Sequence, residues 1–333
     1  MLKARIATAG EALIDLVAEA DGRLRPCMGG AVYNLSRALA RQAVSTCCLN
    51  PFSKDRLGQL LARQLQEDGG HLAQSQAVGE PSALAVVAID SDGQPQYSFY
   101  REGVADRAIT STTLIANTQS ISELELVAIG CLALAPEDQE IYHPWLESSR
   151  KAGLGVVIDI NMRPAVVSNP KAYRASVLQA ITMADLLKAS DDDLEFLFDG
   201  ISDPLQAAQA LFELSPAQWV ALTLGSEGAY LLARDGRAWH GKDHASLNLV
   251  DTVGAGDCFL AGLLCALLGT TLQQSIVLAA PSSMTNETRL EAALVQAIAS
   301  ASYCIQRAGC EPADSQQILA HLGLETIKVR AFS

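Results

Sequence analysis

The chain has 333 residues, 49% hydrophobic and 18% charged, with 24 basic against 37 acidic side chains for a formal charge of −13. That length can bury a sizeable core, and the composition excludes a disordered or fibrous chain. With no run of five like charges, the acidic balance excludes a phosphate-backbone grip and disfavours an anionic membrane surface, so neither nucleic acid nor membrane is expected as a partner.

In chain order, short apolar runs alternate with helical periodicity. Arg5 to Ala9 reads as a strand, Ala31 to Arg41 as a helix, Ser45 to Leu49 as a strand, and Asp55 to Glu67 as a helix with Leu57, Leu60, Leu61 and Leu65 on one face. The opening MLKARIATAGEALIDLV reads directly as a strand and lacks an apolar leader, and no apolar run nears the ~20 residues that span a bilayer; a cytoplasmic protein is expected. Between Pro81 and Arg101 two strand-like runs flank Ser91-Asp92-Gly93, a hairpin signal that breaks the alternation. This hairpin could form a flap with Ala12 to Val17, which has its own turn at Asp21-Gly22.

The alternation resumes with strands at Leu126 to Ile129, Gly155 to Ile160, Asp185 to Lys188 and Val220 to Leu224, and helices at Pro136 to Lys151, near Tyr173 to Met183, and from Asp191 and Pro204. After the turn Gly225 to Gly228, Ala229 to Ala233 returns as a strand. The last third reads as mostly helical, at Ala255 to Leu268, Leu272 to Ala279 and Leu290 to Gln306, with a polar loop from Pro281 to Thr288. The pattern defines an α/β chain with a parallel sheet, and no linker or repeat divides it. Eight cysteines, at 27, 47, 48, 131, 258, 265, 304 and 310, show no C-x-x-C pair and read as small buried hydrophobes in a reducing compartment, not as a zinc site.

The segment Val250-Asp-Thr-Val-Gly-Ala-Gly-Asp-Cys-Phe-Leu-Ala-Gly262 passes from a strand through a glycine-rich turn into a helix. The amides of Ala255, Gly256 and Asp257 are expected to converge there, and a helix N-terminus with unpaired N–H groups is an anion site. Asp257 either complements the helix dipole or serves as a general base beside an anion hole, placed to deprotonate an alcohol that attacks phosphorus. A dinucleotide fingerprint fails at Phe259, and Gly236 to Lys242 fails as a Walker A loop because Asp243 stands where Ser or Thr is required; it reads as a strand turn.

The D-T-x-G-A-G-D run at Asp251 to Asp257 resembles the C-terminal signature of the ribokinase-like (PfkB) carbohydrate kinases, and Gly29-Gly30-Ala31-x-x-Asn34 resembles that family's first signature. The similarity keeps its order over nearly the whole chain. Gly10-Glu11-Ala12-Leu13-Ile14-Asp15, Phe99-Tyr100-Arg101, Asp159-Ile160-Asn161-Met162-Arg163-Pro164, Lys188 and Thr223-Leu224-Gly225-x-x-Gly228 are most similar to the fructokinase branch. The resemblance implies a three-layer α/β/α sandwich with a mostly parallel central sheet, and a small β lid inserted at about 11–30 and 82–104 of a single domain, 1–333.

It also implies phosphoryl transfer from ATP, with Mg2+, to a primary hydroxyl of a small sugar, fructose first. Asp257 would be the base, with Gly254, Ala255 and Gly256 completing the anion hole. Asp15, Gly30, Asn34, Arg101 and Arg163 would meet the sugar; Lys188, Thr223, Gly225, Gly228 and Asn286 the nucleotide; and Asp193 a metal-bound water. A K+ ion near Asp251 and a homodimer through the lid belong to the same expectation. Each residue also has a plainer reading. Asn34 reads equally as structural, Arg101 and Arg163 as surface ion pairs, and Asp193 as part of an acidic helix start capped by Ser190. Two stretches depart from the family pattern: Ser190 to Asp193 stands where N-x-x-E is usual, and Asn50 to Gly58 lacks two glycines of G-x-V-G-x-D-x-x-G. The same chemistry on a riboside, ribose or 2-keto-3-deoxy sugar acid is the nearest alternative, and a non-catalytic sugar or nucleotide sensor the alternative of another class.

Overall fold

In the computed structural model, which describes residues 2–19, 21–89, 95–164, 167–198, 200–269 and 287–332, the central strands are mostly apolar because both of their faces are covered. Val127, Ile129, Val156, Ile158, Leu187, Val220 and Leu222 enter one core with Trp145 and Tyr173 of the helices Gln139–Lys151 and Pro170–Ile181. Their neighbours Leu126, Ala128, Val157, Leu186 and Ala221 enter the opposite core. There they meet Leu39 of the helix Ala31–Arg41, Leu260 and Leu264 of Ala255–Leu268, and Leu294 of Glu287–Cys304. A period-two chain buried on both sides makes the three-layer α/β/α sandwich that the alternation announced.

Among the described residues the main sheet has ten strands, in the order Ile327–Phe332, Ala238–Asp243, Ala229–Ala233, Trp219–Thr223, Leu186–Ser190, Gly155–Asp159, Leu126–Gly130, Ile6–Thr8, Thr46–Cys48, His71–Leu72. The seven from Trp219–Thr223 to His71–Leu72 run parallel, and the first three are joined antiparallel. The carboxyl ends of the parallel strands therefore share one rim, where ligands of open α/β sheets gather. A second sheet rises beside that rim, with Leu13–Ala18 antiparallel to Leu24–Gly29 and parallel to Ala83–Ile89, which pairs with Pro95–Tyr100. This is the β lid. The turn expected at Ser91 to Gly93, the helix expected at Leu272 to Ala279, and Asn286 lie outside the described residues.

Local chemistry fixes the helix ends. Asp55 caps Arg56–Glu67 by accepting from Gly58 N at 2.7 Å and ties in the lid by accepting from Ser82 N at 2.7 Å. Such a cap contributes about 1 kcal/mol. Asn50, where the family pattern has glycine, accepts from Gly10 N at 2.8 Å and donates to Asp106 O at 2.7 Å, so it braces the strand ends beneath the lid. The helix Ala255–Leu268 is buried from Asp257 to Leu268, which accounts for an apolar face all the way round.

The reading of the last third as mostly helical needs correction. The chain also holds the strand Ala238–Asp243 and the edge strand Ile327–Phe332, and a further helix, Ser315–Leu322, which the sequence reading did not place. The helix Ser111–Gln119 was also missing from the sequence reading; its run STTLIANTQ is largely polar and buries only Leu114 and Thr118.

Candidate active site

The turn before Ala255–Leu268 is held by its own side chain. Asp251 accepts from Val253 N at 3.0 Å and from Gly309 N at 2.8 Å, and Gly254 caps the helix at φ +77°, in the left-handed region where Cβ is unwelcome. The three amides expected to converge do not all remain free. Ala255 N donates to Thr252 O at 3.2 Å. Gly256 and Asp257, at the second and third helical positions, keep N–H groups that have no intrahelical acceptor. A Cβ on Gly256 would stand 2.8 Å from Lys188 Nζ, so the bare backbone lets the ammonium reach the turn.

Asp257 is buried and receives two side-chain amides, Asn34 Nδ2 at 2.9 Å on Oδ2 and Asn161 Nδ2 at 3.4 Å on Oδ1. Burial, then the neighbouring Asp159, pushes its carboxyl up to about 7, against the opposing pull of Asn34, Lys188 and Arg163. Asn34 Oδ1 is buried without a partner. A hydroxyl placed there would supply the missing donor.

Lys188 lies 3.0 Å from Asp159 Oδ1, as a buried ion pair that is poorly aimed as a hydrogen bond. Burial alone would lower the ammonium's pKa, but Asp159, Asp193 and Asp257 together raise it, so the lysine stays charged. Burial pushes Asp159 up to about 6 despite Lys188. Asp193 shows the plainer of its two readings. Its oxygens accept from Met162 N at 2.6 Å and Ser190 N at 2.8 Å, and Asp193 N in return donates to Ser190 Oγ, which is a capping box.

On the lid side Asp15 is half-buried in the strand Leu13–Ala18, packed onto Gly29, and burial pushes its carboxyl up to about 6. Gly30 opens Ala31–Arg41 without a side-chain cap, and Glu11 fills that role by accepting from Ala31 N at 3.0 Å. Arg163 is exposed, just past the strand Gly155–Asp159, with Asp257 and Asp159 in its field. Arg101 points elsewhere. It is turned inward to Asp138 at 3.3 Å, with Asp106 and Glu11 also close enough to raise its pKa. Thr223, Gly225 and Gly228 sit at the carboxyl end of Trp219–Thr223, beside Ser190 in register.

The site thus unites residues from the lid, the helix Ala31–Arg41, three strand ends and the glycine turn. Asn161 and Asp159 were missed as site residues in their own right. Asn161 is in a left-handed conformation at φ 38°, a position favoured by asparagine, immediately after a strand end, and that conjunction was the available signal.

A buried carboxylate beside the free amides that open a helix, on the carboxyl rim of a parallel sheet, makes this rim the candidate site. Comparison with known proteins agrees: the profile of the pfkB family carbohydrate kinases matches residues 3–317, and the chain belongs to that family of phosphotransferases. It is 30% identical to a fructokinase of Rhizobium leguminosarum bv. trifolii over 264 residues, 78% of each chain. It is 30% identical to fructokinase-1 of Oryza sativa subsp. japonica over 91% of this chain and 92% of the relative. Among solved structures, fructokinase of Xylella fastidiosa with bound ATP has a TM-score of 0.80 at 22% identity, covering 97% of this chain and 99% of that one. Aminoimidazole riboside kinase of Salmonella enterica, complexed with aminoimidazole riboside and an ATP analog, has a TM-score of 0.76 at 22% identity, covering 96% and 99%. Both share the ribokinase fold. No described helix is long and apolar enough to cross a membrane.

Proposed function

We propose that the protein is a fructokinase that moves the γ-phosphoryl group of ATP to a primary hydroxyl of fructose. The observation that carries this reading is the placement of Asp257, buried and hydrogen-bonded by Asn34 and Asn161 within the same helical turn as the anion cradle. Asp257 takes the hydroxyl proton. The Gly256 and Asp257 amides and the Lys188 ammonium hold the charge of the migrating group, so catalysis is positioning and neutralisation more than covalent work. Asp15, Gly30 and the unpartnered Oδ1 of Asn34 orient sugar hydroxyls, and Thr223, Gly225 and Gly228 border the nucleotide. Mg2+ would supply charge neutralisation between the phosphates; Asp193 fits a role through bound water only, since both its oxygens already accept amides.

The acceptor is argued from charge. Arg101 is committed to Asp138, which leaves Arg163, of the two arginines, to face the cleft and favours a neutral sugar over a sugar acid. An acceptor screen coupled to ADP release tests this. Fructose should give a kcat/KM at least 10-fold above those of ribose, aminoimidazole riboside and 2-keto-3-deoxygluconate, since discrimination by paired hydroxyls is at least that large. A preference for the riboside or the sugar acid would refute the fructose assignment, and binding of sugar and ATP without ADP would make the protein a sensor.

A base must be deprotonated to act, so kcat/KM should climb with pH through about 7 and then level. Asn34→Ala removes the closer amide that holds Asp257 down, and its rising limb should move to higher pH. An unmoved limb in the pH profile of that variant would assign the titration to another group.

A further inference from the structure

Against the glycine turn, three cysteines distant in sequence meet. Cys258 follows Asp257 in Ala255–Leu268, Cys304 ends Glu287–Cys304, and Cys310 lies in the loop beyond. All three are buried, their sulfurs lie within 4.8 Å of one another, and Cys258 Sγ and Cys310 Sγ are 3.9 Å apart across 52 residues of sequence. The expectation that the cysteines are isolated hydrophobes with no metal-binding arrangement is therefore incomplete, because the sequence spacing conceals a convergence made by the fold.

The spacing suits one chemistry better than another. A disulfide needs sulfurs about 2.05 Å apart, so the 3.9 Å pair would have to close by almost half. A metal with sulfur bonds of about 2.3 Å in a trigonal plane sets its three sulfurs about 4 Å apart; the 3.9 Å pair already has that spacing, and the cluster as a whole, within 4.8 Å, reaches it by contracting less than about 1 Å. No histidine or carboxylate joins the group among the described residues, and burial removes water as a fourth ligand. Zinc strongly prefers four ligands, whereas soft closed-shell ions of the copper(I) class accept thiolates alone.

We propose that Cys258, Cys304 and Cys310 form a three-thiolate site for a copper(I)-class ion, and that filling it arrests the anion-binding turn above. The cluster grips that turn at three points. Cys258 is part of its helix, Cys310 Sγ packs directly under Gly254 in the place a Cβ would occupy, and Cys304 Sγ donates to Val253 O at 3.5 Å. Binding displaces the thiol protons to solvent, and drawing the three sulfurs together pulls Gly254 and Cys258 toward one centre. The metal site stands on geometry alone; the arrest of turnover rests on the phosphotransfer reading above.

The test is an anaerobic titration of the full-length protein with copper(I) held by a competing bidentate chelator. One ion should bind per chain with ultraviolet thiolate-to-copper absorption, and X-ray absorption should show three sulfur neighbours. Cys304→Ser should weaken binding at least 100-fold while Cys265→Ala, a buried thiol outside the cluster, leaves it unchanged; Cys258→Ala carries the same expectation should the first variant not fold. Affinity that survives both cluster variants, or a two-sulfur site, would overturn the assignment. Loading should cut sugar-dependent ADP formation at least 10-fold, reversibly on chelation, and full turnover with the site occupied would overturn the coupling. A chain that binds the ion at three sulfurs yet phosphorylates no sugar would refute the phosphotransfer reading and leave the metal site established.

Discussion

Asp257→Asn should reduce turnover by about 10²-fold or more while sugar affinity stays near that of the parent. The substitution preserves shape. The new side-chain oxygen can still accept from Asn34 Nδ2, now at 2.9 Å from Asp257, and the weaker Asn161 contact at 3.4 Å is the one that meets a second donor. Only the ability to take a proton is lost. The variant should also be more stable than the parent at alkaline pH. A carboxyl whose pKa rises on folding from 3.8 to about 7 favours the fold while protonated, and that contribution is lost as pH rises through about 7. Relieving the buried charge is worth up to about 4 kcal/mol above that pH, so Tm should rise at pH 8 and by less than half as much at pH 5. Near-normal turnover would remove Asp257 from the role of base, and a fall in Tm at pH 8 would show that its charge is better compensated than the site suggests.

Lys188→Met should be the most destabilising change in the cleft, by about 3–5 kcal/mol near pH 8, because it strands Asp159 in the core without its cation. The lysine and Asp159 side chains are 4% and 6% exposed, so solvent cannot replace the missing charge. The loss should shrink at acid pH. With the lysine gone, Asp159 titrates above its present value of about 6; the cost of a group raised on folding grows until pH reaches the folded value, so the variant's extra loss accrues above about pH 6. Denaturant unfolding at pH 5 and pH 8 measures the difference. Adding Asp159→Asn to Lys188→Met should restore most of the lost stability at pH 8 and none of the activity, because the ammonium beside Gly256 is absent from both variants. Equal losses at the two pH values would mean that the pair contributes packing and little charge.

What the sequence disclosed follows from how local each signal is. The glycine turn at 250–262 was readable because strand, turn and helix cues fall within one short window, and the parallel strands because burial on both faces makes them mostly apolar. The strands Ala238–Asp243 and Ile327–Phe332 were not, since most of their residues are only partly buried; in the first, Trp239 is buried while His240 is half-buried, and the mixture resembles a turn. Roles that depend on distant partners were also illegible. Nothing near Arg101 announces that Asp138 will claim it, and nothing near Asn161 announces Asp257. Asn34 shows the limit most clearly: its place in the first turn of a helix fits a structural role equally well, and nothing local announces its 2.9 Å contact with Asp257.

The central claim is that the turn opening Ala255–Leu268 holds the phosphoryl group in flight with Asp257 facing the acceptor. A crystal structure with fructose, Mg2+, ADP and a metal fluoride that mimics the planar phosphoryl group tests it most directly. The fluoride centre should lie between ADP and the sugar, with the Gly256 and Asp257 amides about 2.7–3.1 Å from its ligands and an Asp257 oxygen within hydrogen-bond reach of the attacking hydroxyl. A fluoride centre bound away from that turn, or a sugar whose primary hydroxyl faces another group, would contradict the account.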